Sequence, residues 1–306
     1  VRNLFPYFCD FSIKFFNPNF LLVESAWKGF KGAWKYKIAS YPNFPSRTNQ
    51  KLINLVNKAK DRGLPTVFWN KEDSVHFDRF IDSAKHFDHI LTVDSNCIEK
   101  YKLLGDFKSV NTMMFPVQPK FHFFDGFNFK NYRANFCGSY NADIHPQRKY
   151  TQDWLLRAAS ETIGLDIYDR NSKRKNTMYR FPVFDNSVIF RSLPYRRTAH
   201  IYKSYHASIN INTIEDSPSM YSRRLIEILA CGGIAVTTPS LSVETHFKDF
   251  CHVVSSYDEA IELFSRLKYG PSKKDLEKAR AGADFVENNH TWKHRIEDIV
   301  QIISNK

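Results

Sequence analysis

The sequence predicts an α/β protein made of two Rossmann-like halves, each with a parallel sheet. Short apolar runs alternate with longer amphipathic segments along most of the chain, which is typical of β-α-β units. The apolar runs are nearly continuous, as expected for strands that are covered on both faces. The length of 306 residues corresponds to two domains at about 100–200 residues each. We expect the two halves to face a cleft.

The first half supplies four strands and three helices. The strands are predicted at 20–23, 65–69, 89–93 and 110–117, and the helices at 48–62, 76–86 and 95–104. The helix at 48–62 is the clearest example, because its apolar residues recur on one face and Gly63 follows as a stop. An irregular aromatic stretch at 118–132 then interrupts the alternation and predicts the linker.

The alternation resumes after the linker and continues to the end of the chain. The strands are predicted at 134–138, 165–168, 187–190, 207–211, 233–238 and 251–254, and the helices at 148–163, 195–204, 220–231, 257–268, 273–287 and 291–303. We therefore expect an N-terminal domain over 1–125 and a second domain over 126–290. The helix at 291–306 is expected to pack back on the N-terminal domain.

Composition and charge exclude several classes of protein. With 42% hydrophobic and 25% charged residues, the chain is neither disordered nor fibrous. Residues 1–8 lack the apolar core of a signal peptide, and no run of about 20 apolar residues predicts a membrane span. The five cysteines form no CxxC pair, which favours reduced thiols and a cytoplasmic location. The net charge of +12 fits either an anionic partner or dispersed surface lysines.

In parallel sheets, ligands bind beyond the carboxyl ends of the strands, so the residues that follow each strand are the candidates. Two such loops in the first half are rich in polar side chains. They contain Glu24, Trp27 and Lys28 after the first strand, and Asn70, Glu72, Asp73 and His76 after the second. Asp73, Glu24 and His76 are the candidate catalytic groups, because a general base must be a carboxylate or an imidazole within reach of a hydroxyl. The alternative for Asp73 is capping of the next helix.

In the second half, the strand at 134–138 ends on Gly138 and Ser139, and Arg148 enters near the start of the next helix. Glycine lets backbone approach a phosphate, and Arg binds phosphate with two prongs. Arg170 follows the next strand at the same edge. The alternative for Arg148 is an ordinary surface position.

The segment 217–233 carries the most specific pattern. Ser219, Met220 and Tyr221 are predicted to begin a helix, whose free backbone N–H groups attract an anion. Arg223 and Arg224 add positive charge, and Glu227 lies one turn deeper, where it can accept hydrogen bonds from a ribose. The alternative is a simple i,i+4 salt bridge between Arg223 and Glu227, worth about 0.3–0.5 kcal/mol.

This segment resembles the donor-binding helix of GT-B glycosyltransferases. In the retaining group-1 members an acid is followed, after seven residues, by a second acid, then Ala-x-Gly and an apolar strand. Glu227 matches the second acid, and Ala230-Cys231-Gly232 matches the tail. Ser219 stands where the first acid would be, so backbone amides would replace a carboxylate contact with the sugar.

The chain also resembles the spore maturation protein B-like (CgeB-like) glycosyltransferases, from about residue 20 to the end. The segments that carry this resemblance are 24–29, 65–73, 136–140, 167–171, 217–220, His290-Thr291-Trp292 and Arg295. The resemblance implies a GT-B fold and a hexosyltransferase-like enzyme. It would move a sugar from a nucleotide-diphosphate sugar of UDP or GDP type to an acceptor hydroxyl, in surface polysaccharide or glycoconjugate synthesis.

The resemblance also implies a role for each group of candidate residues. Arg148, Arg223, Arg224 and the 219–221 amides would stabilise the departing diphosphate, and Glu227 would hold the ribose. The residues that would flank the base are Leu193, Pro194 and Tyr195. A glycan, lipid-linked or other hydroxyl acceptor would enter from the N-terminal half. Asp73 or Glu24 would be the base if the anomer inverts, and no base is needed if configuration is retained.

The chain contains no Asp-x-Asp pair, which favours neutralisation of the diphosphate by arginines and helix N-termini, without metal or other cofactor. Dispersed lysines are compatible with loose contact with the anionic inner face of a membrane. Two alternatives use the positive charge differently: an enzyme that glycosylates DNA bases, and a nonenzymatic nucleic-acid-binding protein. Nucleic acid is the less favoured partner, because no recognition motif is present.

Overall fold

The computed structural model describes residues 2–141 and 145–304, apart from the side chain of Asp10. The chain divides into two compact units. Unit 1 comprises Val1–Met114, Pro218–Met220 and Ile296–Lys306, and unit 2 comprises Phe115–Ser217 and Tyr221–Arg295. Each unit has its own sheet.

Unit 1 contains, in the described part of the chain, one four-stranded parallel sheet of order β1-β2-β3-β4. The strands are β1 Leu21–Glu24, β2 Thr66–Asn70, β3 His89–Thr92 and β4 Ser109–Thr112, and the helices are α1 Cys9–Phe16, α2 Gln50–Lys60, α3 Phe77–Ala84 and α4 Ile98–Leu104. Helix α2 forms because Leu52, Val56 and Ala59 recur at helical spacing, and all three are buried in the core of this unit.

Unit 2 contains a six-stranded parallel sheet in its described residues, of order β10-β9-β8-β5-β6-β7. The strands are β5 Asn131–Gly138, β6 Leu165–Asp169, β7 Ser187–Arg191, β8 Tyr205–Asn210, β9 Ala235–Thr237 and β10 His252–Val253. The helices are α5 Pro146–Thr162, α6 Thr198–Ser204, α7 Arg223–Ala230, α8 Leu241–His246, α9 Tyr257–Leu267 and α10 Lys273–Asn289. The last helix, α11 Trp292–Ser304, begins in unit 2, and from Ile296 onwards its residues belong to unit 1. The strand order proceeds from β5 to β6 and β7 on one side and resumes with β8 on the other side of β5, so the carboxyl ends of β5 and β8 form a topological switch point.

The two parallel sheets and their helices confirm the predicted α/β fold. The aromatic stretch predicted as a linker, 118–132, belongs to unit 2 because its rings pack there: Phe129 lies against the core of this unit, and Phe124 contacts Gly232. The compact units accordingly divide after Met114 rather than after residue 125.

Three elements differ from the sequence expectation. The helix predicted from Met220 begins at Arg223, and helices α1 and α8 were not predicted. Helix α1 escapes the amphipathic pattern because it carries apolar residues on both faces. Its Cys9 and Ile13 are buried, whereas Phe11 and Phe15 are exposed.

None of the helices in residues 2–141 and 145–304 combines the length and the apolar character needed to cross a bilayer. Within the same residues, no cluster of three or more His, Cys, Asp or Glu side chains is arranged to hold a metal ion.

Candidate functional site

The carboxyl ends of β5 and β6 meet at one edge of the unit 2 sheet. Gly138 ends β5 opposite Asp169, which ends β6. Helix α5 then begins at Pro146, so Arg148 lies in its first turn, and α7 begins at Arg223. A helix N-terminus presents free N–H groups and the positive end of the helix dipole. The backbone alone therefore makes this edge of the sheet attractive to an anion.

Three arginine side chains gather at this edge. Arg224 donates from Nε to the carbonyl oxygen of Cys137 at 2.7 Å, and Arg170 donates from Nη2 to Ser139 Oγ at 3.2 Å. Arg148 is close enough to both that their charges act on it. In the described part of the chain, no carboxylate lies within ion-pair distance of Arg148 or Arg224.

We call this group the arginine cluster: Arg148, Arg170 and Arg224. Burial, together with the guanidinium groups of Arg224 and Arg170, lowers the pKa of Arg148 to about 10. Arg224 Nη1 is buried and has no hydrogen-bond partner among the residues that the structure describes. An orphaned, buried guanidinium nitrogen is costly unless a ligand supplies an acceptor.

Gly138 is required here for space. A Cβ at this position would lie 2.5 Å from the ring of Phe136 and 2.8 Å from Arg224 Nη2. Arg224 itself lies over the Phe136 ring, with its Cζ 4.5 Å from the ring centroid. The glycine thus lets the guanidinium lie against the strand end, at the place where the sequence predicts an approach to phosphate.

Glu227 lies one turn into α7 and is only 5% exposed. Arg223 Nε is 2.9 Å from its Oε1, and Tyr195 lies close enough to interact with the same carboxylate. Burial raises the pKa of Glu227, while Arg223 and Arg224 oppose that rise. The salt bridge that the sequence offered as an alternative therefore exists, and it holds the carboxylate beside the Tyr195 ring.

Tyr195 lies beside Arg223, which the sequence predicted, and beside His122, which sequence reasoning missed. Its ring centroid is 4.8 Å from that of His122 and 5.3 Å from the Arg223 Cζ. His122 is bonded through Nε2 to Thr198 Oγ1 at 3.0 Å, and burial, followed by the charges of Arg223 and Lys203, lowers its pKa to about 4. The two ring planes are tilted by 58°, and the imidazole is itself buried, so His122 supports the Tyr195 ring from the protein side. His122 was missed because it lies in the stretch interpreted as a linker.

The other two residues predicted to flank a base, Leu193 and Pro194, precede Tyr195 directly. Leu193 is half-buried and Pro194 is exposed. Together with the 38% exposed ring of Tyr195, they offer an accessible apolar surface beside Glu227.

Asn212 is a second residue that sequence reasoning missed. It follows β8, and its side chain is 1% exposed. Its Oδ1 accepts from the backbone N–H of Ser222, the residue before α7, at 3.2 Å, and its Nδ2 donates to the Thr238 carbonyl at 2.9 Å. Asn212 thereby connects the start of α7 to the end of β9. The Asn-Ile-Asn run after a strand was the available signal.

Residues 219–221 were predicted to begin a helix and to offer its free backbone amides, and this prediction is wrong. Ser219 Oγ accepts from the Ser95 N–H at 2.8 Å and donates to the Val93 carbonyl at 3.0 Å, all within unit 1. In unit 2, Tyr221 donates its buried hydroxyl to the Phe115 carbonyl at 2.8 Å. These bonds hold 219–221 outside the helix, and Met220 likewise precedes α7 by three residues. The helix N-terminus belongs to Arg223 and Arg224.

In unit 1, the loops after β1 and β2 lie side by side because Glu24 pairs in register with Trp69. Glu24 Oε2 forms an ion pair with Lys71 Nζ at 2.5 Å, and Ser25 Oγ accepts from the Lys71 N–H at 2.8 Å. Glu24 remains partly exposed, so one carboxylate of the predicted set faces solvent.

Asp73 is in a different position. It is 0% exposed, and its carboxylate accepts from Asn70 Nδ2 at 2.6 Å, Thr92 Oγ1 at 2.7 Å and the Tyr101 hydroxyl at 3.0 Å. Burial raises the pKa of Asp73 to about 7, although the bonds from Thr92 and Tyr101 oppose the rise. Such burial speaks against direct proton abstraction by Asp73. Asn70, predicted on the acceptor side, is itself buried as a partner of Asp73.

The remaining candidates of this loop are more accessible. The ring of Trp27 meets His76 edge-on at a centroid distance of 5.2 Å, and Phe80 packs on Trp27 at the same distance. His76 and Glu72 are half-buried, and Lys28 is exposed. His76 is also the N-cap residue, directly before α3. The structure thus brings Trp27 and His76 together, and Glu24 with Lys71.

Unit 2 is thus a parallel α/β unit with a cluster of arginines near a topological switch point, beside a buried carboxylate and an exposed aromatic ring. Such an arrangement is typical of nucleotide-binding α/β proteins. Residues 148–301 match the profile of a family described as Glycosyl transferase-like. The chain belongs to this family, and it is a glycosyltransferase. The nucleic-acid-binding alternatives are not favoured.

Solved structures agree on the fold. A glycosyltransferase from Rickettsia africae ESF-5 is 12% identical, with a TM-score of 0.54 over 87% of this chain and 84% of that one. Anabaena HepE, solved with UDP and glucose, is 9% identical, with a TM-score of 0.56 over 85% and 77%. A UDP-forming α,α-trehalose-phosphate synthase from Burkholderia vietnamiensis is 8% identical, with a TM-score of 0.55 over 83% and 70%. These likenesses confirm the predicted GT-B fold. No curated protein sequence matches the chain.

Proposed function

We propose that this glycosyltransferase takes its sugar from a nucleoside diphosphate sugar bound to unit 2, and that the arginine cluster holds the diphosphate. The observation that supports this most directly is the half-buried position of Arg148 beside two further guanidinium groups, with no carboxylate within ion-pair distance of Arg148 in the described residues. The largest charge that develops in sugar transfer is on the departing diphosphate. Fixed cations at that position stabilise it without reorganisation.

The nucleoside would lie on the adjacent surface. Glu227 would accept hydrogen bonds from the ribose hydroxyls, and Tyr195, next to Leu193 and Pro194, would contact the base. Two of the structural neighbours were solved as complexes of Anabaena HepE, one with UDP and glucose and one with UDP-glucose. These complexes support UDP as the first donor to test, with GDP as the second.

On the acceptor side we propose Glu24 as the base of an inverting reaction, with His76 as a supporting polar group. The partial exposure of Glu24 supports this choice, whereas Asp73 is enclosed. If configuration is retained, no base is needed, and the anomeric proton signals of the first product distinguish the two outcomes. The acceptor is proposed to be a glycan, a lipid-linked sugar or another hydroxyl of surface polysaccharide or glycoconjugate synthesis.

We further propose a spore maturation protein B-like, hexosyltransferase-like enzyme that works without a metal, at the inner face of the cytoplasmic membrane. The matching segments of the sequence and the net charge of +12 support this assignment. Activity that persists unchanged in excess chelator would support metal independence.

The test of the donor site is thermal denaturation with UDP, GDP, CDP, ADP and TDP. A ligand at one hundred times its Kd stabilises the folded protein by about 2.7 kcal/mol, which raises the melting temperature measurably. If no diphosphate raises it, the donor site is refuted. Glu227→Gln should remove the preference for UDP over 2′-deoxy-UDP. If the preference survives, the carboxylate does not bind the ribose.

A further inference from the structure

The first 51 residues carry a charge and aromatic pattern that, apart from Glu24, Trp27 and Lys28, lies outside the candidate sugar-transfer site. They contain eight Lys or Arg residues against two acidic ones, so half of the net charge of +12 lies in one sixth of the chain. The same segment holds eight of the large apolar side chains that are exposed in the described residues: Phe5, Tyr7, Phe8, Phe11, Phe15, Phe16, Phe30 and Phe44.

Helix α1 arranges part of this set on one face. Cys9 and Ile13 are spaced one turn apart and are buried in the unit 1 core, so the helix is anchored. Phe11 and Phe15 are also one turn apart, and they are 55% and 61% exposed. Their ring centroids are 4.2 Å apart, and the ring of Phe16 adjoins them at 6.4 Å from Phe11. The helix therefore presents a continuous aromatic stripe to its surroundings.

Cations surround this stripe. The Arg2 Cζ lies 3.5 Å from the centroid of the Phe16 ring, and Lys14 Nζ lies 5.9 Å from that of Phe15. On the side towards α2, Lys51 Nζ is 3.7 Å from the ring centroid of Tyr7, which is 77% exposed. We call this surface the aromatic-basic face: Arg2, Tyr7, Phe8, Phe11, Lys14, Phe15, Phe16 and Lys51.

We infer that the aromatic-basic face docks on the headgroup region of an anionic lipid bilayer. Exposed phenylalanine rings are stabilised when they leave water for an apolar medium. A helix that lies in the membrane–water interface buries such rings below the level of its cations. A second copy of the chain would bring identical positive charges together. An anionic headgroup layer complements the Lys and Arg side chains. Each such cation near the surface contributes about 1 kcal/mol to binding, which corresponds to about fivefold in affinity. This gives the dispersed charge of the sequence a defined location.

The test is cosedimentation of the full chain with vesicles of phosphatidylcholine, with and without about one third phosphatidylglycerol. We expect binding to the anionic vesicles that weakens steeply with added salt. Phe11→Ser/Phe15→Ser should lower the partition coefficient at least about tenfold, and Lys14→Glu at least about fivefold on anionic vesicles only. The matched controls, Tyr269→Ser and Lys175→Glu, remove an exposed ring and an exposed cation of unit 2 and should leave binding unchanged.

Because Phe11 and Phe15 are exposed, the double variant should keep the melting temperature of the parent, and a variant that loses it is replaced by Phe15→Ser alone. Equal partitioning of parent and variants overturns the inference. It is also overturned if sedimentation shows a dimer that the double variant dissociates, or if the face binds an oligonucleotide and ignores vesicles. Neither donor nor acceptor is present, so failure here leaves the proposed sugar transfer standing.

Discussion

At the residue scale, the most informative feature of this protein is how differently its buried charges are compensated. Asp73 has three hydrogen-bond donors around it, so its environment is complete within unit 1. Arg148 and Arg224 have each other and no acid within ion-pair distance in the described residues, so their environment is incomplete. Perturbed groups of the second kind mark binding sites more reliably than those of the first.

Arg148→Gln tests this distinction. Removing one of three mutually repelling cations should leave the melting temperature of the unliganded protein unchanged or higher, because no carboxylate of the described residues loses a partner. The stabilisation by UDP should fall by about 1.5–3 kcal/mol, whereas stabilisation by UMP should fall less if the cluster holds the β-phosphate.

Arg157→Gln is the matched control, since Arg157 is an exposed arginine of the same helix. It should behave as the parent in both measurements. An equal loss of UDP stabilisation in the two variants would contradict a specific role for Arg148.

The raised pKa of Asp73 predicts that the stability of the folded protein depends on pH. Its pKa in the folded protein, about 7, lies above its ordinary value of 3.8, so the folded state binds the proton more tightly. Its contribution to stability is therefore greatest at acid pH and is lost as the pH rises through about 7. From about pH 5 to about pH 8, the parent should lose up to a few kcal/mol relative to Asp73→Asn.

Urea denaturation of both proteins across this range measures the difference. Asp82→Asn, at an exposed position of α3, is the control and should track the parent at every pH. A constant difference between the parent and Asp73→Asn would show that Asp73 does not titrate in this window.

At the element scale, α7 is the helix on which the donor site depends, and its start is set by tertiary bonds. Asn212 accepts from the Ser222 N–H, while Ser219 is engaged by Val93 and Ser95. Neither bond can be seen in the local sequence. Ser217-Pro218-Ser219 has the composition of a helix start, with Pro at the first position, and still lies outside the helix.

Asn212→Ala should therefore act on stability and ligand binding together. It leaves the Ser222 N–H and the Thr238 carbonyl without their side-chain partner, at a cost of about 2 kcal/mol or more. Because α7 carries Arg223, Arg224 and Glu227, the affinity for UDP should fall as well.

Calorimetric binding of UDP, together with urea denaturation, measures both effects. Asn57→Ala, at an exposed position of α2, should change neither by more than about 0.5 kcal/mol. Loss of stability with full UDP affinity would show that Asn212 supports the core without positioning α7.

The same elements show what could be predicted from sequence and what could not. The strands of both sheets were predictable because parallel strands buried on both faces are continuous apolar runs, as in β2 and β8. Arg148, Arg170 and Arg224 were predictable because residues after parallel strands share an edge. His122 and Asn212 were not, because an imidazole against Tyr195 and an amide between β9 and α7 depend on contacts distant in sequence.

At the scale of the whole molecule, the chain forms two units with separate cores. The proposed donor residues all belong to unit 2, apart from Ser219 and Met220, which cluster with unit 1. The aromatic-basic face belongs to unit 1. Donor binding is thus expected to involve unit 2, and membrane docking to involve unit 1.

Hydrogen exchange with and without UDP should reveal this division. Amides at the end of β5 and in the first turns of α5 and α7 should exchange more slowly in UDP, because the ligand binds only the folded unit 2. Amides of β1 and β2 serve as the internal control and should be unchanged. Slowing confined to unit 1 would contradict a donor site on unit 2.

The incomplete charge balance of the arginine cluster also bears on turnover. Cations that stabilise a diphosphate as it departs from the sugar continue to hold it once it is free, and the free product carries more negative charge than the intact donor. Under the proposed function, the nucleoside diphosphate should therefore be a strong product inhibitor. Its escape, rather than the breaking of the glycosidic bond, would then limit the steady-state rate.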